Sequence, residues 1–182
     1  DRVEELLKTV EKLVRDNEKH SRDVVKEVRR LAEENERHSE RVVREVRRLV
    51  KELEDMKRRG DIREEELKDA ERKVKELNKR NKEHSDDLRR RVEELNRDNR
   101  RHSEELEETV RRLLEELRKE SDRREVREVL KRIEEILKDV KRKSEEVNRE
   151  SERVLREVEK RSEDADRESK KVLDDVKEKA RR

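Results

Sequence analysis

All four histidines of the chain lie in four copies of one polar pentad, in which Asn is followed three residues later by His and then by Ser. The copies read NEKHS from Asn17, NERHS from Asn35, NKEHS from Asn81 and NRRHS from Asn99. Histidine can bind a metal, exchange protons near neutral pH or activate a neighbouring hydroxyl group. Which of these chemistries is open to the pentads depends on the elements that carry them and on what they face.

The composition argues against several classes of function. Charged residues make up 62% of the sequence, and aromatic residues are absent. The 57 basic and 55 acidic residues are interspersed, so there is no cationic block to neutralise phosphates and no ring to stack on a base. The chain has no cysteine and no apolar run of the length that a membrane-spanning helix needs. We therefore expect a soluble protein that binds neither nucleic acid nor membrane.

The apolar residues repeat with a helical period in three segments. When each residue is given about 100° of rotation, the apolar side chains of each segment fall within an arc of roughly 140°. Such arcs are typical of amphipathic helices that bury one face. The pattern predicts three helices, over about residues 2–58, 62–119 and 123–181.

Two turns separate the predicted helices. Gly60 can adopt the left-handed conformation that often follows a helix, and Asp61 with Glu64 is spaced as a capping box. The second turn has no glycine and is placed near Asp122, which is spaced from Glu125 as a second capping box. A break is needed there because the apolar arc of one continuous helix would jump by about 160°.

The predicted fold is all-α. Short turns make consecutive helices antiparallel, and arcs of this width suit helices that each contact two others. We expect a single domain over residues 1–182, folded as a straight, elongated up-down-up three-helix bundle. The apolar arcs do not distinguish a bundle of three helices from one of four, so a monomer and a homo-oligomer both remain open.

The expected straightness rests on an internal repeat of 18 residues. In the first helix VRDNEKHSRDVVKEVRRL is followed by AEENERHSERVVREVRRL, and similar pairs of blocks occur in the other two helices. Eighteen residues make five turns at about 3.6 residues per turn. The repeat therefore returns each side chain to the same face without the drift that makes heptad repeats supercoil.

The pentads fall within the apolar arcs, so their polar side chains are expected to point into the bundle. In the first antiparallel pair of helices, residues at one level have numbers that sum to about 122, which places His20 beside His102 and His38 beside His84. Two buried polar layers are predicted. The first comprises Asn17, His20, Ser21, Asn96, Asn99, His102, Ser103, Ser144 and Asn148. The second comprises Asn35, His38, Ser39, Asn78, Asn81, His84, Ser85, Ser162 and Asp166.

Such layers need internal hydrogen bonds, because burying an unsatisfied polar group costs several kcal/mol. Neutral imidazole, amide and hydroxyl groups all donate and accept, so they can close a network without burying a charge. A wrong pairing of helices would leave these groups unsatisfied. The layers are therefore expected to specify which helices pair and at what register.

Together these features make the whole chain resemble de novo designed helical bundles with buried hydrogen-bond networks. The shared features are the duplicated 18-residue blocks, the surface of Glu, Lys and Arg, the lack of aromatic residues and the repeated Asn, His and Ser insertions. The resemblance implies a scaffold, a heterodimer component, a switch or a pH-responsive assembly, without an enzymatic role. The pH-responsive members are often oligomers, whereas this chain is expected to close its own core.

Two catalytic or metal-binding interpretations fit the residues less well. A bis-histidine metal or porphyrin site could use the histidine pairs, yet di-metal bundles place Glu three residues before His, where the pentads have Asn. A hydrolase could pair His20 with Ser103, or His102 with Ser21, across the helices. No glycine-rich turn or helix terminus lies nearby to hold an oxyanion, so we do not expect an enzyme.

Two binding interpretations also fit parts of the sequence. Arg59, Gly60 and Asp61 spell the integrin-recognition tripeptide RGD, although the glycine and the aspartate are already explained as cap residues. The bundle could also be open and could self-associate or accept a further helix. This second interpretation stays the alternative to a closed scaffold.

The sequence thus predicts a non-enzymatic scaffold that acid destabilises, without metal, cofactor or small-molecule substrate. Burial disfavours imidazolium, which lowers the pKa of a buried histidine below its usual value of about 6.5. The free energy of unfolding then falls as pH drops below that value. Four buried histidines acting together give a limiting slope of about 4 × 1.4 kcal/mol per pH unit.

Overall fold

The structure of the protein, a computed structural model, describes residues 2–120 and 124–182. These residues form three long α-helices, α1 (Arg2–Arg59), α2 (Glu64–Glu120) and α3 (Arg124–Arg181). The start of α1 contacts the end of α2 through Arg2 and Glu120, and the end of α3 contacts the start of α2 through Arg181 and Glu64. The predicted all-α fold with an up-down-up order of three helices is confirmed.

The turn after α1 has the geometry that the sequence predicts for Gly60. The glycine has a φ of +74°, its N–H donates to the carbonyl of Lys57 at 3.0 Å, and the N–H of Asp61 donates to the carbonyl of Met56 at 2.9 Å. These two bonds form a Schellman motif, which satisfies carbonyl groups at the end of the helix. The other predicted turn, at Ser121 and Asp122, lies outside the described residues.

The start of α2 differs from the predicted capping box of Asp61 and Glu64. The residue before the helix is Arg63, whose N–H donates to Oε2 of Glu66 at 2.8 Å and whose carbonyl accepts from the N–H groups of Glu66 and Leu67. Three consecutive glutamates, at 64–66, allow this shift because each can supply the carboxylate of a first helical turn. The segment before the cap instead carries Ile62, which packs against the core.

The described residues divide into two compact units. Of the described residues, the first unit comprises 2–28, 92–120 and 124–153, and the second comprises 29–91 and 154–182. Each unit takes one stretch from every helix. This follows from the up-down-up order, because the late part of α2 lies against the early parts of α1 and α3.

Both units have an aliphatic core. The buried apolar cluster of the first unit comprises Leu6, Val10, Leu106, Val110, Leu114, Leu117, Val126, Ile133, Leu137 and Val140. That of the second comprises Val42, Val46, Val50, Leu53, Leu67, Ala70, Val74, Leu173 and Val176. No large hydrophobic side chain is exposed among the described residues, and none of their helices is long and apolar enough to cross a membrane.

Candidate functional site

The first unit contains a polar network centred on Asn99 of α2, which is fully buried. Its Oδ1 accepts a hydrogen bond from Ser21 Oγ of α1 at 3.1 Å. Its Nδ2 donates to Ser144 Oγ at 3.2 Å and to Asn148 Oδ1 at 3.0 Å, both on α3. Asn148 in turn donates to the carbonyl of Asn96 at 3.4 Å. One amide therefore connects all three helices.

A second buried amide, Asn17 of α1, completes this network. Its Oδ1 lies 2.8 Å from His102 Nδ1 and 3.5 Å from Ser103 Oγ. Ser103 makes its shorter bond, of 2.7 Å, to Ser144 Oγ. Because an amide oxygen only accepts, Nδ1 of His102 carries the hydrogen, and Nε2 is left as the atom that takes up a further proton.

The second unit repeats this arrangement around Asn81 of α2, which is also fully buried. Its Oδ1 accepts from Ser39 Oγ at 3.0 Å and from His38 Nδ1 at 3.2 Å, both on α1. Its Nδ2 donates to Ser162 Oγ at 3.0 Å and to Asp166 Oδ1 at 2.9 Å on α3. Here too a single side chain links the three helices.

The remaining predicted members of the second layer lie beside this centre. Asn35 of α1 accepts from His84 Nδ1 at 2.6 Å, and Asn78 donates to the carbonyl of Asp166 at 3.3 Å. Ser85 is buried, but it takes no part in the side-chain hydrogen bonds found among the described residues. All nine side chains are buried or partly buried in the second unit, and all but Ser85 take part in the hydrogen bonds described above.

The histidines stack in pairs between α1 and α2. The ring centroids of His20 and His102 are 4.3 Å apart with planes at 13°, and those of His38 and His84 are 4.5 Å apart at 4°. All four rings are only partly buried, whereas the sequence analysis expected them in the core. The reason is helical phase, because the histidine of each pentad lies at the margin of the apolar arc, whereas the asparagine lies near its centre.

The geometry of the histidine pairs does not suit a chelated metal ion. The lone pair of imidazole lies in the plane of the ring, and two nearly parallel planes more than 4 Å apart do not converge on one ion. Among the described residues no group of three or more His, Cys, Asp or Glu side chains is placed to hold a metal.

Three of the four pentad serines donate to the networks rather than to the histidines. Ser21 and Ser39 donate to amide oxygens, and Ser103 donates to another hydroxyl group. No hydrogen bond among the described residues joins a serine hydroxyl to a histidine ring. The arrangement therefore lacks the nucleophile and base contact that acyl-transfer chemistry needs.

A carboxylate that the sequence analysis overlooked lies beside the first histidine pair. Oδ2 of Asp98 is 3.5 Å from Nε2 of His20, whose side chain is 29% exposed. Asp98 lies outside the apolar arc and reaches the ring from the flank of α2, so a test of helical phase alone does not find it.

The environment of the second pair affects His84. Partial burial, followed by the nearby charge of His38, lowers the pKa of His84 below its usual value. Arg41 acts in the same direction, while the carboxylates of Asp87 and Glu34 act in the opposite one. The neutral ring is therefore favoured in the folded state.

Asp166 is half-buried in the second network and has a raised pKa. Removal from water is the main cause, and the negative charge of Glu163 adds to it, whereas the hydrogen bond from Asn81 opposes both. The first network has the uncharged Asn148 in the same role, accepting from the central amide of α2. The two networks thus differ in the charge of one central acceptor.

Two buried serines on α3 were missed by the sequence analysis. Ser151 and Ser169 are each 1% exposed, and their hydroxyl groups have no hydrogen-bond partner among the described residues. Each follows a network residue by three positions, Asn148 and Asp166 respectively. The helical-phase test that located the pentads could have found them, since they lie on the same face.

Comparison with known proteins bears on the fold. No protein-family model and no curated protein matches the chain. A solved structure described as a "Computationally designed three helix bundle" is similar over 98% of this chain and 82% of its own length, with a TM-score of 0.53 and 17% sequence identity. The likeness shows the fold. This chain is a three-helix bundle with Ser, Asn and His hydrogen-bond networks in its core.

Proposed function

We propose that this protein is a designed, non-enzymatic structural scaffold, in which the polar networks specify helix pairing and register and acid lowers stability. The observation that carries the proposal is the use of Asn81 and Asn99. Each accepts from α1 with its amide oxygen and donates to α3 with its amide nitrogen. An amide used at both ends recognises two partners at once.

Specification of register follows from the cost of breaking these bonds. A slip of one helix by one turn moves its side chains by about 5.4 Å, which is far beyond hydrogen-bond reach. Each buried donor or acceptor left unsatisfied then costs about 1–3 kcal/mol. A purely aliphatic core would penalise the same slip much less, because Val and Leu side chains pack in many ways.

The design origin and the organisation of the whole chain belong to the same proposal. The duplicated 18-residue blocks, the interspersed surface charges and the likeness of fold to a designed bundle support it. Under this proposal residues 1–182 act as one domain. The alternative of an open bundle that accepts a further helix lacks support, because no large hydrophobic side chain is exposed among the described residues.

The acid response rests on the histidines at the edge of each network. Because the pKa of His84 is lowered in the folded state, the folded protein binds fewer protons than the unfolded chain. The free energy of unfolding therefore falls as pH drops below about 6.5 and stops falling below the folded-state pKa of this ring. Partial exposure of the rings keeps the effect below the limit for fully buried histidines.

The pairing role is tested by replacing the two central amides together, with Asn81→Leu and Asn99→Leu. We expect the variant to stay helical and to resist urea at least as well as the parent chain, because apolar residues replace buried polar groups. It should no longer adopt one state, and amide NMR spectra should show additional or broadened signals. Size-exclusion chromatography with light scattering would detect new oligomers.

A matched control removes buried polarity without removing a network bond. Ser151→Val and Ser169→Val together delete two hydroxyl groups that have no partner, and should leave a single set of NMR signals. If the Asn81→Leu, Asn99→Leu variant also gives one sharp set of signals with the parental mass, the networks do not specify the pairing and this part of the proposal fails.

A further inference from the structure

We infer that acid acts unequally on the two networks, and that the second network loses protection first because the first has a carboxylate, Asp98, placed to hold the imidazolium form of His20. The inference rests on the acid response proposed above. It adds an order to that response and names the residues that set the order. The order follows from charges that face the two histidine pairs.

The first pair has a carboxylate within reach of one ring. Nε2 of His20 lies 3.5 Å from Oδ2 of Asp98, so protonation turns this contact into an ion pair. From α2 the ring also faces His102. From α3 the layer receives Ser144. The neighbouring Lys143 forms ion pairs with Asp139 at 3.2 Å and with Glu18 at 3.6 Å.

The second pair has no such contact. No carboxylate among the described residues forms an ion pair with His38 or His84. Nδ1 of each ring already donates to an amide oxygen, so a further proton enters at Nε2. Two imidazolium rings would then stack at 4.5 Å, with like charges in a half-buried site.

Several other charged groups act on this pair, and they partly cancel. From α1 these are Glu34 and Arg41, and from α2 the group is Asp87. From α3, Asp166 is bonded to Asn81. Arg161, also on α3, is engaged by Glu36 and by Glu157. Burial, the largest cause, and the charge of His38 outweigh the two carboxylates, so the pKa of His84 is lowered.

A comparison of equivalent positions identifies the difference between the pairs. The residue 18 positions before Asp98 is Arg80, and the residue 18 positions before Arg41 is Asp23. At both positions the first unit has an aspartate and the second has an arginine. The guanidinium of Arg80 donates to Glu76 at 2.7 Å, and no carboxylate in the described part of the chain takes the place of Asp98 by pairing with His38.

Asp166 limits the pH range in which this order applies. Its pKa is raised in the folded state, so its protonation favours the folded second network once pH falls through that value. The histidines weaken the second network as pH drops below about 6.5, and protonation of Asp166 opposes this loss. The variant Asp166→Asn removes the opposing contribution and should enlarge the loss of protection in the second network.

Hydrogen exchange read by mass spectrometry tests the order on the intact chain. Protection would be compared at pH 7.5, 6.5 and 5.5 after correction for intrinsic exchange rates, in peptides that cover residues 36–45 and 78–88 and in those that cover 18–27 and 96–106. Between pH 7.5 and pH 5.5 we expect the peptides of the second network, 36–45 and 78–88, to lose about tenfold more protection than those of the first, 18–27 and 96–106.

Two charge exchanges at exposed positions provide the decisive variants. Asp98→Arg should make the first network as sensitive to acid as the second, and Arg80→Asp should protect the second network. Their side chains are 55% and 64% exposed, so neither change disturbs the core. Arg72→Asp is a matched control, because Arg72 is exposed on α2 and pairs with Asp69, and it should leave the order unchanged.

The possible outcomes separate the inference from the proposal beneath it. If both networks lose protection together and neither exchange alters this, the order is overturned while the acid response stands. If neither network loses protection by pH 5.5, the proposed acid response fails and the inference fails with it. A larger loss in the second network, reversed by Arg80→Asp and Asp98→Arg, establishes the assignment.

Discussion

At the scale of single residues, the two networks solve the same bonding problem with different chemistry. The central amide of α2 donates to Asn148 at 3.0 Å in the first network and to Asp166 at 2.9 Å in the second. The acceptor in the first network, Asn148, is neutral, and its Nδ2 donates to the carbonyl of Asn96 on α2. The carboxylate brings a charge into a half-buried site and has no hydrogen to donate.

This difference predicts that Asp166→Asn stabilises the protein at neutral pH. The variant keeps the acceptor for Asn81 and removes a partly desolvated charge, so the free energy of unfolding should rise by up to about 1 kcal/mol at pH 7.5. Because the pKa of Asp166 is raised in the folded state, the parent chain regains stability as pH falls through that value, and the gain should shrink. Urea denaturation followed by circular dichroism measures both effects.

The control for this prediction is Asp164→Asn, two residues away on the same helix. Asp164 is exposed and pairs with Arg167 at 2.6 Å, so its replacement should change stability by a few tenths of a kcal/mol at most. A variant at position 166 that is less stable than the parent chain at pH 7.5 would show that the carboxylate contributes a net favourable interaction.

At the scale of elements, α2 organises the bundle. Both central amides lie on it, and each reaches α1 on one side and α3 on the other. The position of α2 along α1 depends in part on the turn between them, where Gly60 and Asp61 close the Schellman motif. The turn therefore acts on the register of α1 against α2, which is the variable that we propose the networks also set.

The conformation of Gly60 predicts how much stability the protein loses when this residue is replaced. An added Cβ would meet nothing within 4 Å, so the cost of Gly60→Ala comes from its φ of +74° and not from crowding. We expect a loss of about 1 kcal/mol, measured by thermal or urea denaturation. Gly60→Asn should cost less, because asparagine tolerates the left-handed region better. Equal losses for Ala and Asn would contradict this account.

At the scale of the whole molecule, stability is shared between aliphatic packing and the polar networks. Each unit buries its own cluster of Val, Leu and Ile residues, which does not respond to pH. The histidines carry the proposed response to acid, but they lie at the edge of the networks and are partly exposed. Acid should therefore weaken the protein gradually rather than unfold it at one pH.

This balance predicts a shallow acid dependence that requires the histidines. The urea midpoint of the parent chain should fall from pH 7.5 to pH 5.5, with a slope well below about 1.4 kcal/mol per pH unit for each histidine. Replacing His20, His38, His84 and His102 together by Asn should flatten the curve. Light scattering on the same samples gives the mass, to be compared with 22.5 kDa for one chain. An equally steep curve for the variant would exclude the histidines as the cause.

Much of the fold follows from local periodicity. Three helices and their up-down-up order could be predicted because about 100° of rotation per residue places the apolar side chains on one face, and Gly60 marks a turn by its own conformational freedom. The levels of the pentads follow from the same arithmetic, and His20 and His102 do lie together in the structure.

Only the tertiary structure decided the features that depend on distances between helices and on side-chain rotamers. The periodicity of the sequence does not tell which end of the Asn99 amide faces α1. It also does not tell how far a histidine ring extends towards solvent, or whether Asp98 reaches His20. Such contacts change over about 1 Å, whereas helical phase locates a side chain only to a face of the helix. Sequence alone therefore determined the elements and the polar layers, and packing determined their hydrogen bonds and charges.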